Sequence, residues 1–288
     1  MTLVRRPAES SDLDALEALF VAYDTWEFGR VEMERDDIRA MLELPGSQQL
    51  VLERDGRVIG YADLAPNGEG ESAAHPDDAE VADLHRELLG WLADGARALG
   101  KERLEHWSGP RPDGASQRLT SQGFEHVRTA WQMRRGLDGE LPEPVWPGTA
   151  SVAPFEEARD AEQVWDLITR GFAGQFGSHP RPFEEWRHLA LRPGSSVIRV
   201  VEEGRLLGVS VNVPRASEGY VLQLAVEPSA RGRGLGLALL HETFRRDQAA
   251  GLPATALGVD GQNDNARKLY EKAGMSVVEE FRRWDLVL

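Results

Sequence analysis

Val221–Leu240 reads VLQLAVEPSARGRGLGLALL, which predicts a strand, a glycine-rich turn and a helix. Gly232, Gly234 and Gly236 let backbone N–H groups converge on one point without obstruction by Cβ atoms. The helix that follows leaves its first N–H groups without intrahelical partners and adds a partial positive charge. Two arginines within the turn bring further positive charge to its rim. The stretch therefore predicts a site for a phosphorylated cofactor.

A second motif lies further along the chain, where Asn263–Met275 reads NDNARKLYEKAGM. The glycine-rich turn lacks the Gly-Lys-Ser/Thr of a Walker loop, and its surroundings do not match a dinucleotide-binding fingerprint. Together, the two segments resemble the GNAT superfamily of acyl-CoA N-acyltransferases. The turn matches the Arg/Gln-x-x-Gly-x-Gly/Ala motif of that family at Arg231, Gly234 and Gly236. The second segment matches its Asn-x-x-Ala-x-x-Leu-Tyr-x-x-x-Gly-Phe motif, with Met275 where phenylalanine is usual.

The chain consists of two halves with the same predicted order of elements. Each begins with an amphipathic helix, one from Ser11 and one from Asp160, followed by a β-hairpin, a strand, a helix and further strands. The predicted fold class is therefore α/β, with two tandem GNAT-like domains, each a mixed, mostly antiparallel sheet flanked by helices. The predicted domains are residues 1–138 and 149–288, joined by a proline- and glycine-rich linker at 139–148. This doubled layout resembles tandem-GNAT proteins related to mycothiol synthase.

The first half has lost the phosphate turn. The positions that match Arg231–Gly236 are occupied by Ala79–Leu84, which has no glycine and follows two aspartates. These acids would repel a phosphate, although acids also suit the start of a helix. Leu119 stands where the second half has Tyr270. We therefore expect the first half to be a degenerate domain that does not bind CoA.

The resemblance implies an activity and a co-substrate. In GNAT enzymes the acceptor amine attacks acyl-CoA directly in a ternary complex, so the absence of cysteine does not count against activity. The resemblance implies acetyl-CoA as the donor and a primary amine of a small molecule as the acceptor. The implied contacts to the cofactor come from Leu224, Ala225, Val226, Arg231, Gly232, Arg233, Gly234, Leu235, Gly236 and Asn263. Asn263 has the alternative role of capping the helix that follows.

Other functions stay open at this point. One alternative is a non-catalytic acyl-CoA-binding or interaction protein that kept the turn. Another is a protein or peptide N-acetyltransferase, and a third is an enzyme like mycothiol synthase. The two motifs do not distinguish these alternatives, because they describe only the part of the site that binds the cofactor.

The implied general acid is Tyr270, which in the family protonates the departing thiolate. A phenol with its ordinary pKa near 10 stays protonated at neutral pH. For the general base several candidates remain, because Tyr220 stands where many family members have a glutamate. Glu218 lies two residues earlier on the same face of the strand and is the first candidate for the base. The alternatives are Tyr220 acting through water, His179, and water alone. Gly171–Phe183, which is rich in glycine and aromatic residues, is expected to roof the acceptor site.

Composition and charge exclude several classes of protein. A net charge of −15 argues against a nucleic-acid partner, and no apolar run is long enough to span a membrane. The seven histidines lack the spacing of metal ligands, so we expect no metal. The chain has no cysteine and no apolar stretch behind its first arginines, so we expect a cytoplasmic protein. Whether it is a monomer or a homodimer is left open.

Overall fold

The computed structural model describes residues 3–111, 114–175, 181–215 and 217–288. The chain divides into two compact units. The N-terminal unit comprises Met1–Ala130 and Glu280–Leu288, and the C-terminal unit comprises Trp131–Glu279.

This division differs from the predicted domain boundaries at both ends. The predicted linker at 139–148 belongs to the C-terminal unit, where the Gln248 side chain donates a hydrogen bond to the carbonyl of Gly139 (2.8 Å). Glu280–Leu288 belongs to the N-terminal unit, because it pairs with the strand Arg103–Ser108. Both differences arise from contacts between residues far apart in the chain, which local composition does not report.

The N-terminal unit contains the predicted elements in the predicted order, with an additional first strand and an additional second helix. Its strands are β1 (Leu3–Arg6), β2 (Gln48–Arg54), β3 (Arg57–Leu64), β4 (Glu69–Ala74), β5 (Arg103–Ser108) and the first part of β6 (Glu125–Gly136). Its helices are α1 (Leu13–Phe28), α2 (Arg35–Leu42), α3 (Val81–Ala98) and α4 (Ala115–Ser121). The sheet has the order β1-β2-β3-β4-β5, followed by the end of β12 (Ser276–Val287). These strands pair antiparallel except β4 and β5, which pair in parallel.

The C-terminal unit repeats this arrangement. Its strands are the second part of β6, β7 (Ser151–Ala153), β8 (Ser196–Glu202), β9 (Arg205–Pro214), β10 (Gly219–Val226), β11 (Ala254–Asp260) and the start of β12. Its helices are α5 (Glu157–Phe172), α6 (Phe183–Ala190), α7 (Leu235–Ala249) and α8 (Asp264–Lys272). The sheet has the order β6-β11-β10-β9-β8-β7, in which β10 and β11 are parallel and β7 to β10 are antiparallel. The predicted fold class is confirmed.

Helices cover both faces of the C-terminal sheet. On one face α5 packs its stripe of Val164, Leu167 and Ile168 against β9 and β10, together with α6. On the other face α7 contributes Leu240 and Phe244 to a second core. Burying an aliphatic or aromatic side chain of this size contributes about 1.5–3 kcal/mol, so these stripes hold the helices to the sheet. Within the described ranges, no helix is both long and apolar enough to cross a membrane.

The two amphipathic helices begin close to the predicted residues but not at them. α5 begins at Glu157, and Asp160 lies within its first turn, where its carboxylate accepts a hydrogen bond from the N–H of Glu156 (2.9 Å). α1 begins at Leu13, after a short 3₁₀ turn that contains Ser11. Asp160 therefore accepts a bond from an N–H group that the helix leaves unpaired, whereas the Ser11 hydroxyl donates to the carboxylate of Glu9 (3.4 Å).

Candidate active site

The cleft of the C-terminal unit opens where two parallel strands part. β10 pairs with β11 over Gly219–Val221, opposite Thr255–Leu257. Both strands continue beyond this stretch, to Val226 and Asp260. The space between their ends is a cleft of about 80 Å³. Its lining consists of Phe172, Gln175, Val221–Leu224, Leu257–Asp260, Asn263, Ala266 and Tyr270.

A β-bulge at Leu222 redirects the strand that forms one wall of the cleft. Val221 and Gln223 pair with consecutive residues of β9, which leaves Leu222 as an extra residue. Regular alternation would put Val221 and Gln223 on the same face of the sheet. Because of the bulge, Val221 packs in the core beneath α7, whereas Gln223 accepts a hydrogen bond from Nε1 of Trp186 on α6 (2.8 Å). The bulge therefore brings a polar side chain to the α5–α6 side of the cleft.

The predicted phosphate turn has a backbone that suits a phosphate. Gly232 and Gly234 have positive φ angles of 78° and 90°, and a Cβ atom at either would meet no heavy atom within 4 Å. Gly234 is the N-cap of α7, and its carbonyl accepts a helical hydrogen bond from the N–H of Ala238 (3.1 Å). The N–H groups before Ala238 therefore face out of the helix end, an arrangement that can receive an anion. Gly236 instead allows close helix packing, because a Cβ atom there would lie 3.0 Å from a methyl group of Leu269.

Both arginines of the turn make hydrogen bonds to other residues of the protein. Arg233 makes two hydrogen bonds to the carboxylate of Glu202 (2.7 and 2.8 Å), and its guanidinium lowers the pKa of that carboxyl. Arg231 donates to the carbonyls of Val226 and Gly171 (both 3.3 Å). The charge of Arg233 is thus balanced by Glu202. The positive potential of the turn comes mainly from its N–H groups and from Arg231.

Tyr270 and Asn263 are both in α8 or at its start, and both line the cleft. Burial, and to a lesser extent Tyr220, raises the pKa of the Tyr270 phenol to about 12. The phenol is therefore protonated at neutral pH and can donate. The side chain of Asn263 accepts a hydrogen bond from the N–H of Ala266 (3.1 Å), so the capping role weighed for it is observed.

The candidates for the general base do not lie together in the cleft. Glu218 is buried, and its carboxylate accepts a hydrogen bond from Nε of Arg134 (2.7 Å). It is not among the described residues that line the cleft. Tyr220 precedes the cleft on β10, and the guanidinium of Arg215 lies 4.0 Å from its ring centroid. His179 lies outside the described residues. The base role of Glu218 stays a prediction, and its partner Arg134 had no signal in the sequence.

Two polar residues of the cleft were not predicted from the sequence, and a third, Gln175, lies in the segment Gly171–Phe183 that was expected to roof the acceptor site. Gln175 follows α5, Gln223 lies in β10, and Asp260 ends β11. Asp260 accepts a hydrogen bond from the N–H of Gln262 (2.8 Å) and so shapes the turn into α8. The available signal for Gln223 was its position as a polar residue inside the otherwise apolar strand VLQLAV.

Comparison with known proteins identifies the family. The sequence profile of the acetyltransferase (GNAT) family matches residues 161–275. A mycothiol acetyltransferase from Thermomonospora curvata is 33% identical over 246 residues, which cover 80% of this chain and 79% of the relative. The chain belongs to the GNAT family. This GNAT protein is an acetyltransferase, and acetyl-CoA is the acetyl donor that the family uses.

Solved structures show that the tandem GNAT fold extends over the whole chain. A GCN5-related N-acetyltransferase from Sphaerobacter thermophilus has a TM-score of 0.76 at 22% identity, covering 99% of this chain and 95% of that one. A tandem GNAT protein from the clavulanic acid biosynthesis pathway has a TM-score of 0.73 at 15% identity, covering 99% and 98%. At these identities the likeness concerns the fold. In the part of this GNAT that the structure describes, no cluster of three or more histidine or acidic side chains is placed to hold a metal ion.

The N-terminal unit of this GNAT also has parting strands, but its own side chains fill the opening. β4 pairs in parallel with β5 at Glu69 and Gly70. Tyr23 of α1 and His85 of α3 are both buried, and their ring centroids are 6.2 Å apart. Because α1 and α3 pack against opposite faces of this sheet, their contact passes through the opening. The space that forms the cleft in the C-terminal unit is occupied here by the protein.

The loop before α3 also differs from the phosphate turn. No residue of Asp77–Leu84 has a positive φ angle. Arg54 makes ion pairs with Asp78 (2.9 Å) and Glu80 (2.6 Å), so the acids of this loop have a structural partner. The loop therefore presents carboxylates at the helix start where the C-terminal unit presents N–H groups.

Proposed function

We propose that the C-terminal unit transfers an acetyl group from acetyl-CoA to a primary amine of a small molecule, by direct attack in a ternary complex. The observation that carries the proposal is the cleft between β10 and β11, which Tyr270 lines and whose first strand leads into the phosphate turn. Holding both reactants in one cleft removes much of the entropic barrier to their reaction.

In this proposal backbone groups hold most of the cofactor. The N–H groups of Arg233–Gly236 surround its pyrophosphate, with Gly232 allowing close approach and Arg231 adding charge. Leu224–Val226 offer peptide groups to the pantetheine arm, along the edge of β10 from which β11 has parted. An N–H of Leu224 or Ala225 polarises the thioester carbonyl and stabilises the negative charge that develops on its oxygen. Asn263 caps α8 and contacts the cofactor from the cleft wall.

Tyr270 is the proposed general acid. Bound acetyl-CoA supplies an activated acyl group, and the attack breaks its bond to sulfur. Tyr270 donates its phenolic proton to that sulfur, since a pKa of about 12 keeps the proton on the phenol at neutral pH. Glu218 is the proposed base, with Tyr220 acting through water and His179 as the alternatives. Arg134 holds the Glu218 carboxylate in place through an ion pair (2.7 Å).

A second candidate acceptor comes from the relatives. The relative from Thermomonospora curvata is named a mycothiol acetyltransferase. Its identity of 33% over most of both chains favours a mycothiol-related amine within the class of small-molecule acceptors.

The test is an assay of thiol release from acetyl-CoA with a panel of primary amines, including amino sugars, amino alcohols, mycothiol-related amines and short peptides. Turnover with a small amine supports the proposal. Turnover with peptides alone contradicts it and favours a peptide N-acetyltransferase. Binding of acetyl-CoA without turnover of any amine favours a non-catalytic acyl-CoA-binding protein.

We further propose that the chain binds one CoA. Support comes from the contact between Tyr23 and His85, which fills the opening in the N-terminal unit, and from the acids before α3. Calorimetric titration with CoA is expected to give one site per chain, and Gly234→Ala is expected to weaken it. Two sites per chain would contradict this proposal without touching the chemistry assigned to Tyr270.

A further inference from the structure

Gln223 is held in one orientation by a buried tryptophan. Its Oε1 accepts a hydrogen bond from Nε1 of Trp186 (2.8 Å), and its side chain lines the cleft. Trp186 is only 3% exposed, and its ring stacks on that of Phe183 with 6.1 Å between the centroids. The donor therefore belongs to a rigid part of the core between α5, α6 and the sheet.

This hydrogen bond decides which end of the amide faces the cleft. The indole nitrogen of Trp186 can only donate, so the atom of Gln223 that faces it is the carbonyl oxygen. The NH2 group of Gln223 then points away from Trp186, and the side chain that carries it lines the cleft. Gln175, on the same side, donates to the carbonyl of Gly171 (3.2 Å), which leaves its Oε1 as an acceptor. The α5–α6 side of the cleft thus offers a neutral donor and a neutral acceptor.

We propose that Gln223 is a specificity-determining residue, positioned by Trp186, that selects acceptors carrying a hydroxyl or carbonyl oxygen beside the primary amine. A hydroxyl suits the site best, because it can accept from Gln223 and donate to Gln175. The acceptor class is therefore amino alcohols, including amino sugars. A site with a fixed donor discriminates against an analogue without the oxygen, because the donor is then left without a partner. This inference rests on the proposed function and names the substrate class of the same cleft.

The experiment compares two ring amines, glucosamine and cyclohexylamine, which differ in the oxygen atoms of the ring and its substituents. Their binding to the enzyme–CoA complex is measured by calorimetry, and their turnover is measured by thiol release. Gln223→Glu keeps an acceptor for Trp186 and removes only the NH2 donor. We expect the preference for glucosamine over cyclohexylamine to fall about 3- to 10-fold in this variant, with CoA affinity unchanged. Binding is compared at pH 6, where both amines are protonated, so that the added charge attracts both of them.

Two tryptophan variants separate positioning from general packing. Trp186→Phe removes the donor that orients Gln223, and we expect it to reduce the same ratio. Trp165→Phe is the matched control, because Trp165 packs against the same core and its Nε1 donates to the carbonyl of Arg181 (2.9 Å), not to a cleft residue. Its ratio is expected to equal that of the wild type.

The outcomes distinguish this inference from the proposed function. A wild-type enzyme that binds glucosamine no better than cyclohexylamine overturns the inference, as does a Trp165→Phe variant that loses the preference equally. A preference in binding that Gln223→Glu reduces, in an enzyme that acetylates no amine of the panel, supports the inference and contradicts the proposed function.

Discussion

Replacing Glu71 with glutamine is expected to stabilise the N-terminal unit at neutral pH. Glu71 lies on β4, just beyond the last residue that pairs with β5. Burial raises the pKa of its carboxyl from 4.5 to about 8, and the neighbouring carboxylates Asp24, Glu69 and Asp63 add to the shift. The folded protein therefore holds a proton on Glu71 at pH values where the unfolded chain has released it.

The sign and size of the effect follow from this difference in proton binding. Between pH 4.5 and 8 the native state binds more protons than the unfolded state, so the free energy of unfolding falls as pH rises. Each pKa unit corresponds to about 1.4 kcal/mol, which sets an upper limit of about 3 kcal/mol at pH 7. Because Glu71 is partly exposed to water, screening reduces the expected gain of Glu71→Gln to about 1–2 kcal/mol.

Urea denaturation at pH 5, 6, 7 and 8 measures this effect. The gain of Glu71→Gln over the wild type should be small at pH 5, increase up to pH 8 and stay constant above it. Glu125→Gln is the control, because Glu125 is exposed at the start of β6 in the same unit, and its replacement should change little at any pH. An equal free energy of unfolding for Glu71→Gln and the wild type across this range would refute the reasoning, since it would mean that the ionised carboxylate is compensated.

Three further predictions concern the C-terminal unit. Tyr270→Phe is expected to lower kcat about 100-fold at neutral pH, with little change in the KM for acetyl-CoA. The wild-type kcat should show no fall near pH 10, because the phenol has a pKa of about 12. Steady-state pH profiles of both proteins check these expectations. Gly234→Ala should weaken CoA binding at least about 10-fold by calorimetry. Gly204→Ala is the control, because Gly204 lies in a hairpin with a similar positive φ of 77°, and this substitution should leave CoA binding unchanged. Asn263→Ala removes the bond to the N–H of Ala266 and should lower the free energy of unfolding by about 1 kcal/mol, with Asn263→Asp retaining most of it.

The parts of the fold that were predictable from the sequence depend on local patterns. The strand, turn and helix of Val221–Leu240 were readable from an apolar run and closely spaced glycines, and two of these glycines do have left-handed backbone angles. The stripe of α5 was readable from helical periodicity. The doubled order of elements was readable because the same patterns occur twice along the chain.

The features that were not predictable depend on pairing between distant residues. The bulge at Leu222 is defined by the register with β9, and no local residue type marks it. Arg134 reaches Glu218 from a strand that lies far away in the sequence. Trp186 was one of eight scattered tryptophans, and only the structure places its N–H against Gln223. The unit boundaries depend on strands that leave one half and pair in the other, which composition cannot show.

The assignment of Glu280–Leu288 to the N-terminal unit has a consequence for how the protein is made. During synthesis the ribosome releases β1 to β5 early, yet the strand that lies next to β5 is the last part of this sequence to appear. Until then the edge of β5 exposes peptide groups that can pair with another chain. The domain at the start of the sequence therefore finishes its sheet last, and a fragment cut at residue 149 would separate this strand from its neighbour.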